Sequence, residues 1–143
     1  MVYSNTIQFL LSGVSKVMHI VIDENDKRPV YVQVGDEIKL LIASGVLREG
    51  TPLPPVRQLA GDLGVNLNTI ATAYRELQDV GLITIRHGSG AVVASNRSAN
   101  STEEELRKPL RTALTHFTLA GFKRAEIMNI VSDELRGLLP KKN

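Results

Sequence analysis

Three stretches between residues 30 and 80 of this 143-residue chain repeat apolar residues with the three- and four-residue spacing of amphipathic helices. Their apolar positions are Val34, Ile38, Leu41 and Ile42, then Val56, Leu59, Ala60 and Leu63, then Ile70, Ala73, Tyr74 and Leu77. Gly45 ends the first predicted helix. Pro54 and Pro55 begin the second, and Gly64 is suited to its left-handed cap. The short turn 64–66 then predicts a helix-turn-helix.

The third predicted helix has a polar face opposite its apolar stripe. Asn66 suits the N-cap, where its side-chain oxygen is expected to accept from an amide near Thr69. A rotation of about 100° per residue places four residues opposite the stripe. They are Asn68, Thr72, Arg75 and Asp79. Because the first turns of such a helix reach base edges in a DNA major groove, Asn68, Thr69 and Thr72 are the candidate readers. Asn pairs with adenine, and Thr can contact a thymine methyl. The alternative is that these three residues are ordinary solvated positions on the surface of a helix.

A predicted β-hairpin follows this helix directly. Residues 82–85 and 91–94 are apolar runs that flank the turn segment 86–90. Gly88 and Gly90 permit positive φ, and their backbone amides can approach a phosphate. The alternative for the two glycines is a plain hairpin turn. The order of elements predicts an α+β, mostly α fold, with a winged helix-turn-helix domain over residues 18–97.

The first seventeen residues differ from the rest of the chain. They are polar apart from a short apolar cluster around Phe9, which is too brief for a membrane span and lacks a preceding basic region. We expect Met18 to be the true start and residues 1–17 to be an extension that is not native or is disordered. An extra helix packed on the domain is the alternative. Residues 19–22 predict one short strand, ended by the polar turn 23–26.

Residues 98–143 predict a linker and then two helices. Thr102 and Glu105 form a capping box, and Gly121 separates the helices. Pro109 should kink the first helix or move its start to about Lys108. The apolar stripes are Leu106, Leu110, Leu114 and Phe117, then Ile127, Val131, Leu135 and Leu138. Since two helices cannot bury both stripes alone, we expect a two-helix dimerisation annex that packs on a second copy of the chain. All these stripe residues except Leu138 are assigned to the interface.

Composition excludes several classes. Without cysteine there are no disulfides or thiolate metal sites, and a cytoplasmic location is expected. The three histidines lack metal-ligand spacing, so no metal is assigned. No nucleophile, base and orienting group occur together and no cofactor signature is present, so neither an enzyme nor a cofactor is expected. Residues 18–97 hold eight Lys or Arg against nine Asp or Glu. Individual cations, namely Arg57, Arg75, Arg86 and Arg97, must therefore meet phosphates.

Residues 30–94 resemble the GntR family of bacterial transcription regulators. Residues 53–60 match the pattern Leu-Pro-x-x-Arg-x-Leu-Ala, and residues 65–69 match Val-x-x-x-Thr. Residues 73–77 match Ala-Tyr-x-x-Leu, and residues 88–90 match a Gly-x-Gly wing. The short tail resembles the YtrA-type branch, whose members are typically dimeric regulators and often repressors. The resemblance implies a homodimer on an inverted-repeat DNA operator, an effector of unknown identity and no membrane association.

The resemblance also implies which residues contact DNA. The expected set is Tyr31, Leu53, Pro54, Pro55, Arg57, Asn66, Asn68, Thr69, Thr72, Arg75, Arg86, His87, Gly88 and Gly90. Leu67 and Ala71 stand where the family frequently has Arg, so guanine readout is not expected there. Arg57 alternatively forms a surface ion pair with Asp62 or Glu76.

Two questions stay open at the level of the sequence. His87 is either a phosphate contact or a turn residue. The domain as a whole is either a DNA-binding regulator or a winged-helix module that binds only a protein partner. Salt-dependent binding to DNA would separate these two functions.

Overall fold

The computed structural model describes residues 2–11, 14–86, 90–94 and 101–139. Its elements in chain order are β1 (Val2–Leu11), β2 (Val14–Asp23), α1 (Val30–Ala43), α2 (Val56–Leu63), α3 (Leu67–Asp79), β3 (Ile83–Arg86), β4 (Gly90–Val93), α4 (Glu103–Leu119) and α5 (Arg124–Leu138). Contacts divide the chain into two units, Met1–Arg97 and Ser98–Asn143. The predicted fold class, mostly helical with small antiparallel sheets, is confirmed.

The core of the first unit lies between α1, α2 and α3. Ile38, Leu59 and Ile70, one from each helix, have no exposed surface. The stripe predicted for α3 is confirmed, because its four apolar residues are the buried residues of that helix. Complete burial of one such side chain stabilises the fold by about 1.5–3 kcal/mol. The core therefore fixes which side of α3 faces outward.

The turn between α2 and α3 has the predicted caps. Gly64 ends α2 with a φ of 67°, a left-handed conformation that glycine adopts without strain. The side chain of Asn66 caps α3 by accepting from the N–H of Asn68, the amide next to Thr69, at 2.8 Å. The N–H of Thr69 bonds to the backbone carbonyl of Asn66. Both predicted caps of the turn are confirmed.

The hairpin after α3 belongs to a small sheet. Strands β3 and β4 are antiparallel and pair Ile83 with Val93 and Arg86 with Gly90, so β3 begins one residue later and β4 one residue earlier than predicted. The other edge of β4 bonds to the segment before α2, since the N–H of Leu53 donates to Ala91 at 2.8 Å. The hairpin is therefore attached to the loop that leads into α2.

The N-terminal segment is a strand, which differs from the expected disorder, while the expectation that residues 1–17 are not native stays a prediction. Strands β1 and β2 pair along ten positions, from Val2 opposite Asp23 to Leu11 opposite Val14. Residues 2–11 are thus neither an extra helix nor a disordered extension, and the single short strand expected at 19–22 is longer. The physical reason is the free edge of β2: its alternate residues, including Ile20, are buried against the core, and its backbone groups still require partners.

The second unit contains α4 and α5. The capping box is confirmed, with the N–H of Thr102 donating to Glu105 at 2.8 Å. Helix α4 continues through Pro109, so a start near Lys108 is wrong. Only one helical hydrogen bond is lost at the proline, and the capped first turn precedes it.

Helix α4 ends at a Schellman motif. Gly121 has a φ of 90°, and the N–H of Phe122 donates to Phe117 at 3.1 Å. The rings of Phe117 and Phe122 meet edge to face with centroids 5.3 Å apart. No residue within 101–139 is buried. The ends of α4 are thus well defined, and the apolar stripes of both helices stay partly exposed in the single chain.

Candidate nucleic-acid interface

The first two turns of α3 present a polar surface to solvent. Asn68 is exposed, Thr69 and Thr72 are half-buried, and Arg75 is exposed one turn further along. Leu67, at the first position of the helix, is 39% exposed beside Asn68. Asparagine and threonine offer the donors, acceptors and methyl groups that match base edges. The structure therefore brings the three predicted base readers to one accessible face.

A buried hydrogen bond on the apolar side of α3 holds this helix in place. The Tyr74 hydroxyl donates to the backbone carbonyl of Pro54 at 2.5 Å. Burial raises the pKa of the Tyr74 phenol above its usual range, so the group remains a donor. The bond joins α3 to the segment that enters α2. It therefore fixes, relative to α2, the surface formed by Asn68, Thr69 and Thr72, which we call the reading face.

Two residues of the expected DNA-contact set lie inside the protein. Leu53 is 3% exposed and Pro54 is also buried, so their side chains do not lie on the protein surface. Leu53 packs in the core, and its N–H bonds to β4. The carbonyl of Pro54 accepts the hydrogen bond from the Tyr74 hydroxyl. Pro55 is exposed at the N-cap of α2. Tyr31, in the first turn of α1, is half-buried and packs against the core.

Three arginines of the helix-turn-helix and the hairpin carry unneutralised charge. Arg57 on α2, Arg75 on α3 and Arg86 at the end of β3 are all exposed. Within the described residues, none of the three forms an ion pair, and the alternative pairing of Arg57 with Asp62 or Glu76 does not occur. The ion pairs seen there are Arg28 with Asp26 and Asp36, Lys39 with Asp36, Arg107 with Glu103, and Arg136 with Asp133. The three charges are therefore available to phosphates.

The hairpin β3–β4 supplies the wing. Gly90 has a φ of 78°, which explains the need for glycine there. The other two predicted wing contacts, His87 and Gly88, lie outside the described residues, as does Arg97. Asn66 is exposed, with its side-chain oxygen engaged in capping α3.

Gln78 also belongs to this region, although it is not among the residues predicted from the sequence. Its side chain accepts a 2.7 Å hydrogen bond from the N–H of Ile85 in β3. The residue lies beyond the first turns of α3, which hold the predicted base readers, and it belongs to no apolar pattern. The only signal in the sequence is a long polar side chain just before a predicted hairpin.

The helix-turn-helix α2–α3 and the hairpin β3–β4 define a winged helix-turn-helix, a class of DNA-binding domain. The family described as "Bacterial regulatory proteins, gntR family" matches residues 30–93. The HTH-type transcriptional repressor YtrA of Bacillus subtilis is 33% identical over 87 residues, which cover 61% of this chain and 67% of that protein. The transcriptional regulator YhcF of the same organism is 30% identical over 109 residues, which cover 76% and 84%.

Solved structures that resemble this chain are also of transcription regulators. A protein described as a transcriptional antiterminator from Listeria monocytogenes superposes with a TM-score of 0.74 at 26% identity, covering 85% of this chain and 93% of that one. YtrA from Sulfolobus acidocaldarius, a GntR-family transcription factor, gives a TM-score of 0.50 at 36% identity, covering 78% and 92%. The chain belongs to the GntR family of bacterial transcription regulators, within its YtrA-type subfamily.

Across the residues that the structure describes, no helix combines the length and hydrophobicity that a membrane crossing requires.

Proposed function

We propose that this chain is a homodimeric repressor that binds an inverted-repeat operator. The observation that carries the proposal is the surface of α3, on which Asn68 and Thr72 face outward above a fully buried apolar stripe. A helix held in this way can lie in a major groove with its first turns on base edges. Asn68 then pairs with adenine, and Thr69 and Thr72 contact neighbouring bases.

The unpaired arginines supply the contacts to the DNA backbone. Arg57 and Arg75 flank the groove, and Arg86 extends from the base of the wing. Since residues 18–97 hold one more acidic than basic side chain, these arginines carry most of the attraction to phosphates. Three such contacts per protomer and two protomers give a slope of about −5 in a plot of log affinity against log salt concentration.

Helices α4 and α5 form the dimer interface in this proposal. Leu106, Leu110 and Leu135 are 57%, 53% and 47% exposed, and Phe117 and Val131 are only half-buried. Apolar side chains in two regular rows are seldom left in water. A second copy of the same helices buries both rows, and two-fold symmetry then presents two copies of α3 to two half-sites about one DNA turn apart.

In this arrangement the two parts of the chain have different roles. We assign residues 18–97 to operator binding and residues 98–143 to dimerisation and effector response. Repression is supported by the name of the B. subtilis relative, a transcriptional repressor. A small molecule that changes the spacing of the two α3 helices would release the operator. The regulator acts in the cytoplasm, where the operator is located.

The experiment is a selection of bound duplexes from a random DNA pool, followed by affinity measurements at several salt concentrations. The proposal expects an enriched inverted repeat, one dimer per site and an affinity that falls steeply with salt. A chain that enriches no sequence, or that binds with no salt dependence, would instead support the protein-interaction module.

A further inference from the structure

Gln78, near the C-terminal end of α3, is bonded to two parts of the chain that follow it. Its side-chain Oε1 accepts the N–H of Ile85 at 2.7 Å, and its backbone carbonyl accepts the N–H of Gly81 at 2.9 Å. The second bond belongs to the turn that ends the helix, where Gly81 has a φ of 78°. One residue therefore holds both the turn after α3 and the first strand of the wing.

The register of the hairpin explains why Ile85 requires this partner. Ile85 lies opposite Ala91, whose carbonyl accepts from Leu53 and not from β3. Backbone groups alternate in direction along an antiparallel strand, so the N–H of Ile85 points to the outer edge of β3. In the described part of the chain, no further strand lies on that edge. The amide group of Gln78 takes the place of the missing strand.

The base of the wing is thus held along both edges. The inner edge, on β4, bonds to residues 51–53, and the outer edge, on β3, bonds to Gln78. Gln78 itself lies about 15 Å along the helix axis from Asn68, given the rise per residue, and so it is remote from the base readers.

We propose that Gln78 is a positioning residue that fixes the direction of the wing relative to the reading face of α3. The inference rests on the proposed function, because its consequence is the placement of Arg86 and Gly90 on the DNA backbone next to the groove that α3 occupies. Loss of the bond would leave one edge of β3 unattached and let the hairpin take several directions.

Two substitutions and a control separate this role from a general effect on folding. Gln78→Met keeps the length of the side chain but removes the acceptor, whereas Gln78→Glu keeps an acceptor oxygen. Glu76→Met places the same new side chain on an exposed neighbouring position of α3. Amide hydrogen exchange at Ile85 is measured by NMR in the full-length free chain. Affinity and a hydroxyl-radical footprint are measured on a duplex selected by the wild-type chain.

Gln78→Met is expected to speed exchange at Ile85 about tenfold and to weaken DNA binding by a similar factor. The footprint should lose its wing-side protection and keep the protection beside α3. Gln78→Glu should restore slow exchange, and Glu76→Met should leave it unchanged. Unchanged exchange at Ile85 in Gln78→Met, or a complete wing footprint at wild-type affinity, would overturn the inference. Failure of the wild-type chain to select any duplex refutes the proposed function instead, and the exchange data still report whether Gln78 holds the strand.

Discussion

The Tyr74 hydroxyl of α3 reaches back across twenty residues of sequence to the Pro54 carbonyl, at 2.5 Å. This carbonyl lies just before α2, at the end of the segment that also bonds to the wing strand β4 through Leu53. A single phenol therefore joins α3 to the point where the helix-turn-helix and the wing meet. The burial of Tyr74, which is 1% exposed, protects the bond from competing water.

Tyr74→Phe should lower the free energy of unfolding by about 1–2 kcal/mol, because the buried Pro54 carbonyl loses its partner. Urea denaturation followed by circular dichroism measures the change. Tyr31→Phe is the matched control, since Tyr31 is half-buried and makes no side-chain hydrogen bond within the described residues. Equal stability of wild type and Tyr74→Phe would show that the bond contributes nothing.

The same residue predicts how stability depends on pH. Burial holds the pKa of Tyr74 above its usual range in the folded chain, while in the unfolded chain the phenol ionises near pH ~10. The folded state therefore keeps a proton that the unfolded state loses. Its contribution to stability is complete below about pH 10 and declines as pH rises from there toward the folded-state pKa. The stability difference between wild type and Tyr74→Phe should accordingly shrink in alkaline solution, and a constant difference would contradict the assignment.

The helices could be predicted from the sequence because their signals are local. The stripe that begins at Ile70, the left-handed cap at Gly64 and the N-cap at Asn66 depend on residues no more than a few positions apart. The polar face of α3 follows from the same periodicity. Most of the candidate interface can therefore be predicted from the sequence alone.

The remaining features depend on contacts between distant parts of the chain. Strand β1 was missed because its Ser, Thr and Asn residues weaken the alternation, and its stability comes from pairing with β2. The burial of Leu53 was missed because a sequence motif does not indicate how deeply a residue is buried. The bond between Gln78 and Ile85 depends on which edge of β3 is left free, and this is decided only by the register of the sheet.

Arg57→Ala should weaken operator binding by about 1–3 kcal/mol and make the salt dependence less steep by about one phosphate per half-site. The reason is the exposed guanidinium on α2, which has no ion-pair partner among the described residues. Fluorescence anisotropy at several salt concentrations gives both quantities. Arg57→Lys keeps the charge, so it should preserve the salt slope if the contact is to a phosphate and lose affinity if the contact is bidentate to a base. An unchanged affinity in Arg57→Ala removes this residue from the interface.

Asn68→Ala should relax sequence preference at one position of each half-site. The exposed amide of Asn68 is suited to adenine, and loss of such a pair removes about 1–3 kcal/mol of discrimination. Selection from a random pool with the wild type and the variant reveals the affected position. Asp79→Asn is the matched control on the same face but at the end of α3, and it should leave the selected sequence as it is. Identical selected sequences for wild type and Asn68→Ala would mean that Asn68 does not read a base.

Leu110→Glu should convert the dimer into a monomer and weaken operator binding at least about tenfold. The side chain is 53% exposed in the single chain, so the charge disturbs the fold of one protomer little, whereas burying it unpaired in an interface is strongly unfavourable. Thr112→Glu places the same charge on the polar side of α4 and should leave the dimer intact. Sedimentation at several protein concentrations reports the oligomeric state of both variants. Truncation after Ala94 tests the assignment independently and should also give a weakly binding monomer. A truncated chain that remains a dimer would place the interface within residues 1–94.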